Sequence, residues 1–275
     1  MKIRVLLYCI AGGLPVLIGA LGGGGQWAAW WLAGGVLALG MVPVAVYGPR
    51  SGMGQFGTIA STLLIITALC TWSEALLFLP TSPIREHPVA TLVGSSVMYL
   101  LVAGVLALLA KLLRLGRDTA RNADHRKIAA IALLAPVCGI AYVVYYGIFG
   151  AITYQWFTRA YYPEATQIVE KLGWWFWGIQ FARGVLMTIA VVPIVCTLRM
   201  RRFHAAIVVG AVIWIAGGLV PLLMPNPLLT VGQRLIHIAE IFTQNFTLGV
   251  TAVLLLRSAN ARQTAPAAHA VATGT

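Results

Sequence analysis

Apolar positions along the chain gather into eight runs, 3–21, 27–47, 58–79, 89–113, 128–149, 174–198, 205–223 and 235–256, separated by short connections rich in glycine, proline or basic residues. A run of about 20 apolar residues spans roughly 30 Å of hydrocarbon as a helix, with a few more residues accommodated by tilt. The pattern predicts an all-α, polytopic transmembrane helix bundle of eight spans, forming one membrane domain over 1–256. The first run could pass for a signal peptide, but no small-x-small cleavage site is followed by a polar mature start. It is therefore read as the first span.

Composition agrees: 60% of the 275 residues are hydrophobic and only 9% are charged, where soluble domains carry about a quarter. Cys9, Cys70, Cys138 and Cys196 all fall inside apolar runs and read as small apolar fillers, with no disulfide framework.

The net charge of +12 would suggest nucleic acid in a soluble chain, but the placement of the charges points to membrane orientation. With the N-terminus inside, Lys2, Arg4, Arg50, Lys111, Arg114, Arg117, Arg121, Arg126, Lys127, Arg199, Arg201, Arg202, Arg257 and Arg262 fall on the cytoplasmic side, and Arg85, Arg159, Lys171 and Arg234 on the outer side. Both termini are expected in the cytoplasm of a bacterial-type inner membrane. The bilayer is then the expected partner, and nucleic acid is not.

Three connections and the tail carry information. Gly52, Gly54 and Gly57 have a GxGxxG spacing, but membrane spans flank them instead of a strand and a helix, so a flexible turn is expected and a dinucleotide site is not. The polar, basic stretch 114–127 reads as a solvated loop on anionic headgroups. The connection 151–173 carries Tyr161, Tyr162 and a short amphipathic helix bracketed by Pro163 and Gly173, and leads into Trp174 and Trp175. It is expected to lie on the outer leaflet. The tail 257–275 is small, polar and expected to be disordered.

Against this apolar background a few polar residues stand out. In the last run Gln233, His237, Glu240, Gln244, Thr247 and Thr251 recur at steps of three and four, which places them on one helical stripe. With a rise of about 1.5 Å per residue, Glu74, Arg183, Gln180, Tyr145, Glu240 and His237 all fall roughly 5 to 13 Å outward of the midplane. Arg183 keeps its proton and needs a carboxylate, which Glu74 or Glu240 must supply; the other carboxylate is left to His237. The candidate substrate-binding or proton-coupling residues are therefore Glu74, Arg183, His237, Glu240, Gln180, Gln244 and Tyr145.

The chemistry narrows by elimination. An HxxE pair occurs once, where carboxylate metal sites in helical bundles need it on two helices, and only His237 lies within a span. Neither metal nor haem is expected, and no cofactor is implied. Cys138, Arg183 and His237 follow an order that resembles the exosortase family of eight-span transpeptidases, which implies a thiol nucleophile at the outer surface. Cys138, in APVCGIAYV, lies near the midplane instead and is read as inert. The leading expectation is a small proton-coupled permease or transport component for an anionic or lipid-linked solute. The rivals are a membrane-embedded enzyme acting on an envelope substrate, with His237 and Glu240 as acid and base, and an accessory or sensor subunit whose cluster is structural.

Overall fold

The pattern of long apolar runs becomes helix throughout: the computed structural model describes residues 1–21, 26–78, 83–117, 125–161, 165–226 and 228–258, and contains no strand among them. In chain order the helices are α1 (Lys2–Gly12), α2 (Trp27–Tyr47), α3 (Gly52–Leu77), α4 (Pro88–Leu112), α5 (Ile128–Thr158), α6 (Ala165–Leu172), α7 (Trp174–Thr197), α8 (Arg202–Leu223) and α9 (Val231–Leu256). Seven of them, all but α1 and α6, are long and apolar enough to cross a bilayer. The chain is a multi-pass membrane protein.

The first predicted span is not one α-helix. α1 stops at Gly12, and 3-10 turns carry the chain from Leu14 to Leu21. Pro15 lacks an N–H and its ring crowds the carbonyl four residues back; α2, α5 and α7 carry Pro43, Pro136 and Pro193 without ending, but here Gly12 and Gly13 precede the proline and weaken the same turn. The break is held against α2, where Trp31 Nε1 donates to the Ile10 carbonyl at 3.1 Å. A Cβ on Gly34 would lie 2.9 Å from the Gly13 backbone, and one on Gly12 would lie 2.5 Å from Ala38 Cβ.

α3 begins earlier than its apolar run. Ser51 caps it by accepting from Gly54 N at 3.0 Å, so the glycines of the GxGxxG stretch occupy the first turns of a helix, not a flexible loop.

Of the arginines at one end of the bundle, only those of 114–127 were expected in a solvated loop, and several bond to helix ends. Arg199 donates to the carbonyls of Tyr47 and Gly48 at the end of α2. Arg126 and Arg202 donate to Leu255 and Leu254 at the end of α9. Arg257 is 2% exposed and donates to Val195, Leu198 and Met200 around the end of α7. The last carbonyls of a helix lack intrahelical partners and carry the negative end of its dipole, which a guanidinium satisfies on both counts. Of the tail expected from 257 onward, Arg257 is thus folded into the bundle, while 259–275 lies outside the described residues.

Four of the long helices contain a π-helical stretch: Leu63–Cys70 in α3, Tyr154–Thr158 in α5, Ile215–Leu219 in α8 and Phe242–Phe246 in α9. Each wide turn rotates the residues beyond it relative to an α-helical stripe, and such turns are frequent at functional sites. Three of them meet, because a Cβ on Gly217 of α8 would lie 2.8 Å from Ile66 of α3 and 2.9 Å from Asn245 Nδ2 of α9.

Candidate functional site

Towards the end of the bundle opposite the arginines, packing loosens. No side chain of Val231–Ile241 is buried, and every residue of 71–77 and 221–226 is half-buried. Residues 71–77 of α3 pack mainly on the turns beside them, and a long pair of side chains links them to α7.

That pair is Arg183 and Glu74, with Nη2 donating to Oε2 at 2.6 Å. The sequence offers two carboxylates for Arg183, and it is Glu74 that meets it. The guanidinium also donates through Nη1 to Gln180 Oε1 at 2.8 Å, and its carbon lies 5.9 Å from the centre of the Tyr142 ring, within range of a cation–π attraction. Burial is unequal across the pair: 7% of the Arg183 side chain is exposed, against 30% of Glu74. The Cys70 thiol, one turn before Glu74, lies near the same guanidinium.

Two polar atoms at the site are buried without a partner, Arg183 Nε and Gln180 Nε2. An unmet buried donor costs about 1–3 kcal/mol, more on a charged group, so these two call for an explanation.

The second carboxylate is held on α9. His237 Nδ1 lies 2.9 Å from Glu240 Oε2, and Gln244 Nε2 donates to Glu240 Oε1 at 3.2 Å. Gly150 of α5 faces both, since its Cβ would lie 3.7 Å from Glu240 Oε1 and 3.8 Å from Gln244 Nε2. Lower on the same interface the hydroxyls of Tyr145 and Thr251 share a hydrogen bond of 2.8 Å. The α9 stripe thus runs along α5 from Glu240 to Thr251.

Glu240 and Arg183 are not paired; α5 stands between them. The Tyr146 hydroxyl lies within electrostatic reach of Glu74, Arg183 and Glu240 alike. Its ring packs on Tyr142 and Phe176, and Phe176 packs edge-on against Trp177. The arrangement is two ion-bearing groups on either side of an aromatic wall. Depth along the helix places Tyr142 with Tyr145, and the Tyr-x-x-Tyr-Tyr spacing of 142–146 turns Tyr142 and Tyr146 one way and Tyr145 the other.

The wide turns account for the rest of what helical spacing misses. Thr67, Thr71 and Glu74 are expected on one stripe, but the π stretch Leu63–Cys70 intervenes. Thr71 Oγ1 bonds the Ile66 carbonyl, five residues back, at 3.3 Å. A backbone carbonyl loosened by a wide turn needs such a partner where water is absent.

Cys138 is fully buried against Thr188, a turn further from the open end than Arg183. Among the described residues no three of His, Cys, Asp and Glu converge in a way that would hold a metal ion.

The α5–α7 contact sets the wall's position. A Cβ on Gly184 would sit 2.5 Å from Tyr142 Cβ and 3.0 Å from Gly139 Cα. Gly184→Ala is expected to push α5 off α7 and to cost about 1–3 kcal/mol, as overpacking does. Thermal melting in detergent checks this; an unchanged midpoint would mean the contact is looser than described.

Comparisons of the chain with protein-family models, curated proteins and solved structures give no match, so the chemistry of this site carries the functional reading.

Proposed function

We propose that the chain crosses a bacterial-type inner membrane eight times, with the arginine-capped end and both termini cytoplasmic, and that the opposite half of the bundle holds a proton-coupled transport site for a small anionic or lipid-linked solute. Support for the eighth pass comes from Lys2–Gly12 and Leu14–Leu21 together. At 1.5 Å and 2.0 Å per residue they reach roughly 30 Å, a bilayer core. The side-by-side lie of this segment and α2, with Gly12 against Ala38 and Val16 against Gly34, supports an antiparallel pair. The distribution of basic residues supports the orientation.

One observation carries the transport reading. A buried guanidinium faces a carboxylate that is 30% exposed, and it keeps an unmet donor where three helix ends are only half-buried. A permanent cation at that depth attracts an anion, and Glu74, His237 and Glu240 supply groups able to accept and release protons.

The test is flux. Purified protein is placed in liposomes enclosing a pH-sensitive dye, and an inward gradient of succinate, gluconate, phosphate or sulfate is imposed. One of these classes is expected to acidify the interior, at a rate at least tenfold lower in Glu74→Gln. Rates no higher than those of protein-free vesicles for every anion would sink the transport reading.

The 2.9 Å His237–Glu240 pair favours a second reading, an enzyme at the outer leaflet in which His237 is oriented by Glu240 as acid and base. Under that reading His237→Ala abolishes turnover of an envelope substrate in membranes without altering any anion-driven proton flux.

A further inference from the structure

The guanidinium of Arg183 has two edges suited to accepting a pair of oxygens, and they are filled differently. Nη1 is committed to Gln180 Oε1. Along the other edge, Nη2 holds a single oxygen of Glu74 while Nε, next to it, holds nothing and is shielded from solvent. The Nε–Nη2 edge is the one that matches a carboxylate in a planar, two-bond fork. Glu74 therefore occupies half of a site built for two oxygens. Gln180, fully buried on the preceding turn, adds a second donor, Nε2, with no partner.

Resting on the transport reading above, we propose that the ligand is a carboxylate: it takes both Nε and Nη2 of Arg183, displaces Glu74, and enters together with one proton. The choice of class follows from what the site already holds, a carboxylate bound by one oxygen only. Its surroundings suit an organic acid better than a bare ion, since the Tyr142, Tyr146 and Phe176 rings line the neighbouring wall.

The proton follows from charge balance. Glu74 and Arg183 neutralise one another, and an entering carboxylate takes over the arginine. The displaced Glu74 then faces Tyr142, Tyr146 and, beyond them, Glu240 on the α5 and α9 sides, and Cys70 on its own helix. None of these is a cation, the Arg85 guanidinium at the end of α3 is committed to the carbonyls of Leu76 and Leu77, and an unpaired charge in low dielectric is costly. Its 30% exposure opens it to water, so a proton from solvent goes to the carboxylate oxygen of Glu74. One anion and one proton arrive and nothing else leaves, so the binding step is electroneutral.

The experiment is calorimetric titration of the purified full chain in detergent with sodium acetate, sodium phosphate and sodium chloride, each in two buffers of different ionisation enthalpy. Wild type is expected to take up about one proton per acetate bound and to bind chloride, which cannot bridge the fork, at least tenfold more weakly. Glu74→Gln should bind acetate more tightly with no proton uptake. Arg183→Lys should bind it at least tenfold more weakly, because an ammonium cannot take two coplanar oxygens.

The wild-type comparison needs no variant to fold. Acetate binding without proton uptake, chloride binding as tight as acetate, phosphate bound in preference to acetate, or no acetate binding at all overturns the proposal. Proton-linked acetate binding without anion-driven flux in liposomes would instead remove the transport reading and leave the binding site standing. Flux without proton-linked acetate binding does the reverse.

Discussion

Glu74→Leu is expected to lower the unfolding free energy by about 3 kcal/mol, the lower end of the 3–5 kcal/mol for breaking a buried ion pair, because Glu74 is itself only partly buried. The variant leaves Arg183, 6% exposed, as a charge without a carboxylate. Arg183→Met should cost less, since the carboxylate left behind is 30% exposed and can take a proton from water, which Arg183 has no means of shedding. The double variant, with two apolar side chains facing each other, should recover most of the loss, as well-packed hydrophobic replacements of buried pairs often do. Reversible unfolding in bicelles measures all three. If the double variant costs the sum of the singles, the two side chains are not coupled; if it stays as unstable as Glu74→Leu, or if Arg183→Met is as damaging as Glu74→Leu, the pair is a structural clamp. Recovery in the double variant would show that stability does not account for the pair's presence, which leaves ligand binding as the reason.

The second large effect is at the other end. Arg257→Ala removes bonds of 2.5 to 3.0 Å to the carbonyls of Val195, Leu198 and Met200, leaving them unmet within the fold. Bonds to a charged donor contribute about 1.5–3 kcal/mol each before partial compensation by water. A loss of about 3 kcal/mol is expected, read as a lower melting temperature, with faster amide hydrogen exchange at the end of α7. Arg257→Lys should restore less than half of it, because one ammonium cannot reach three carbonyls from a single position. A change within about 0.5 kcal/mol, the ordinary range for a surface substitution, would mean that Arg257 is no cap.

How much of this was legible in the sequence divides along physical lines. The seven long helices follow the apolar runs closely because hydrocarbon requires every backbone group to be satisfied within its own segment, and only a long apolar helix does this. In the first run hydropathy is unbroken while the α-helix is not: Gly12, Gly13 and Pro15 matter through geometry and hardly alter mean hydropathy. The joint depth of Glu74, Arg183, Gln180 and Glu240 was readable from counting residues along the helices.

Which carboxylate meets Arg183 was not readable, because it depends on the Tyr146 side of α5 lying between Arg183 and Glu240. The wide turns were not readable either. A π stretch such as Leu63–Cys70 inserts no characteristic residue type, yet it rotates everything beyond it, and with it the stripe joining Thr67 to Glu74. Counting charges along the chain gathers these arginines at one end of the bundle, and only the fold shows that Arg199, Arg126, Arg202 and Arg257 bond to the carbonyls of neighbouring helices.

That double duty constrains how this protein can be re-engineered or can diverge. In many membrane proteins a positive charge can be moved from one loop to another to invert the chain, with little harm to the folded state. Here each guanidinium relocated across the bilayer would also unfasten a neighbouring helix end. Inversion and unravelling are therefore coupled, and any lineage that reversed its sidedness would first have to find new stoppers for three helices.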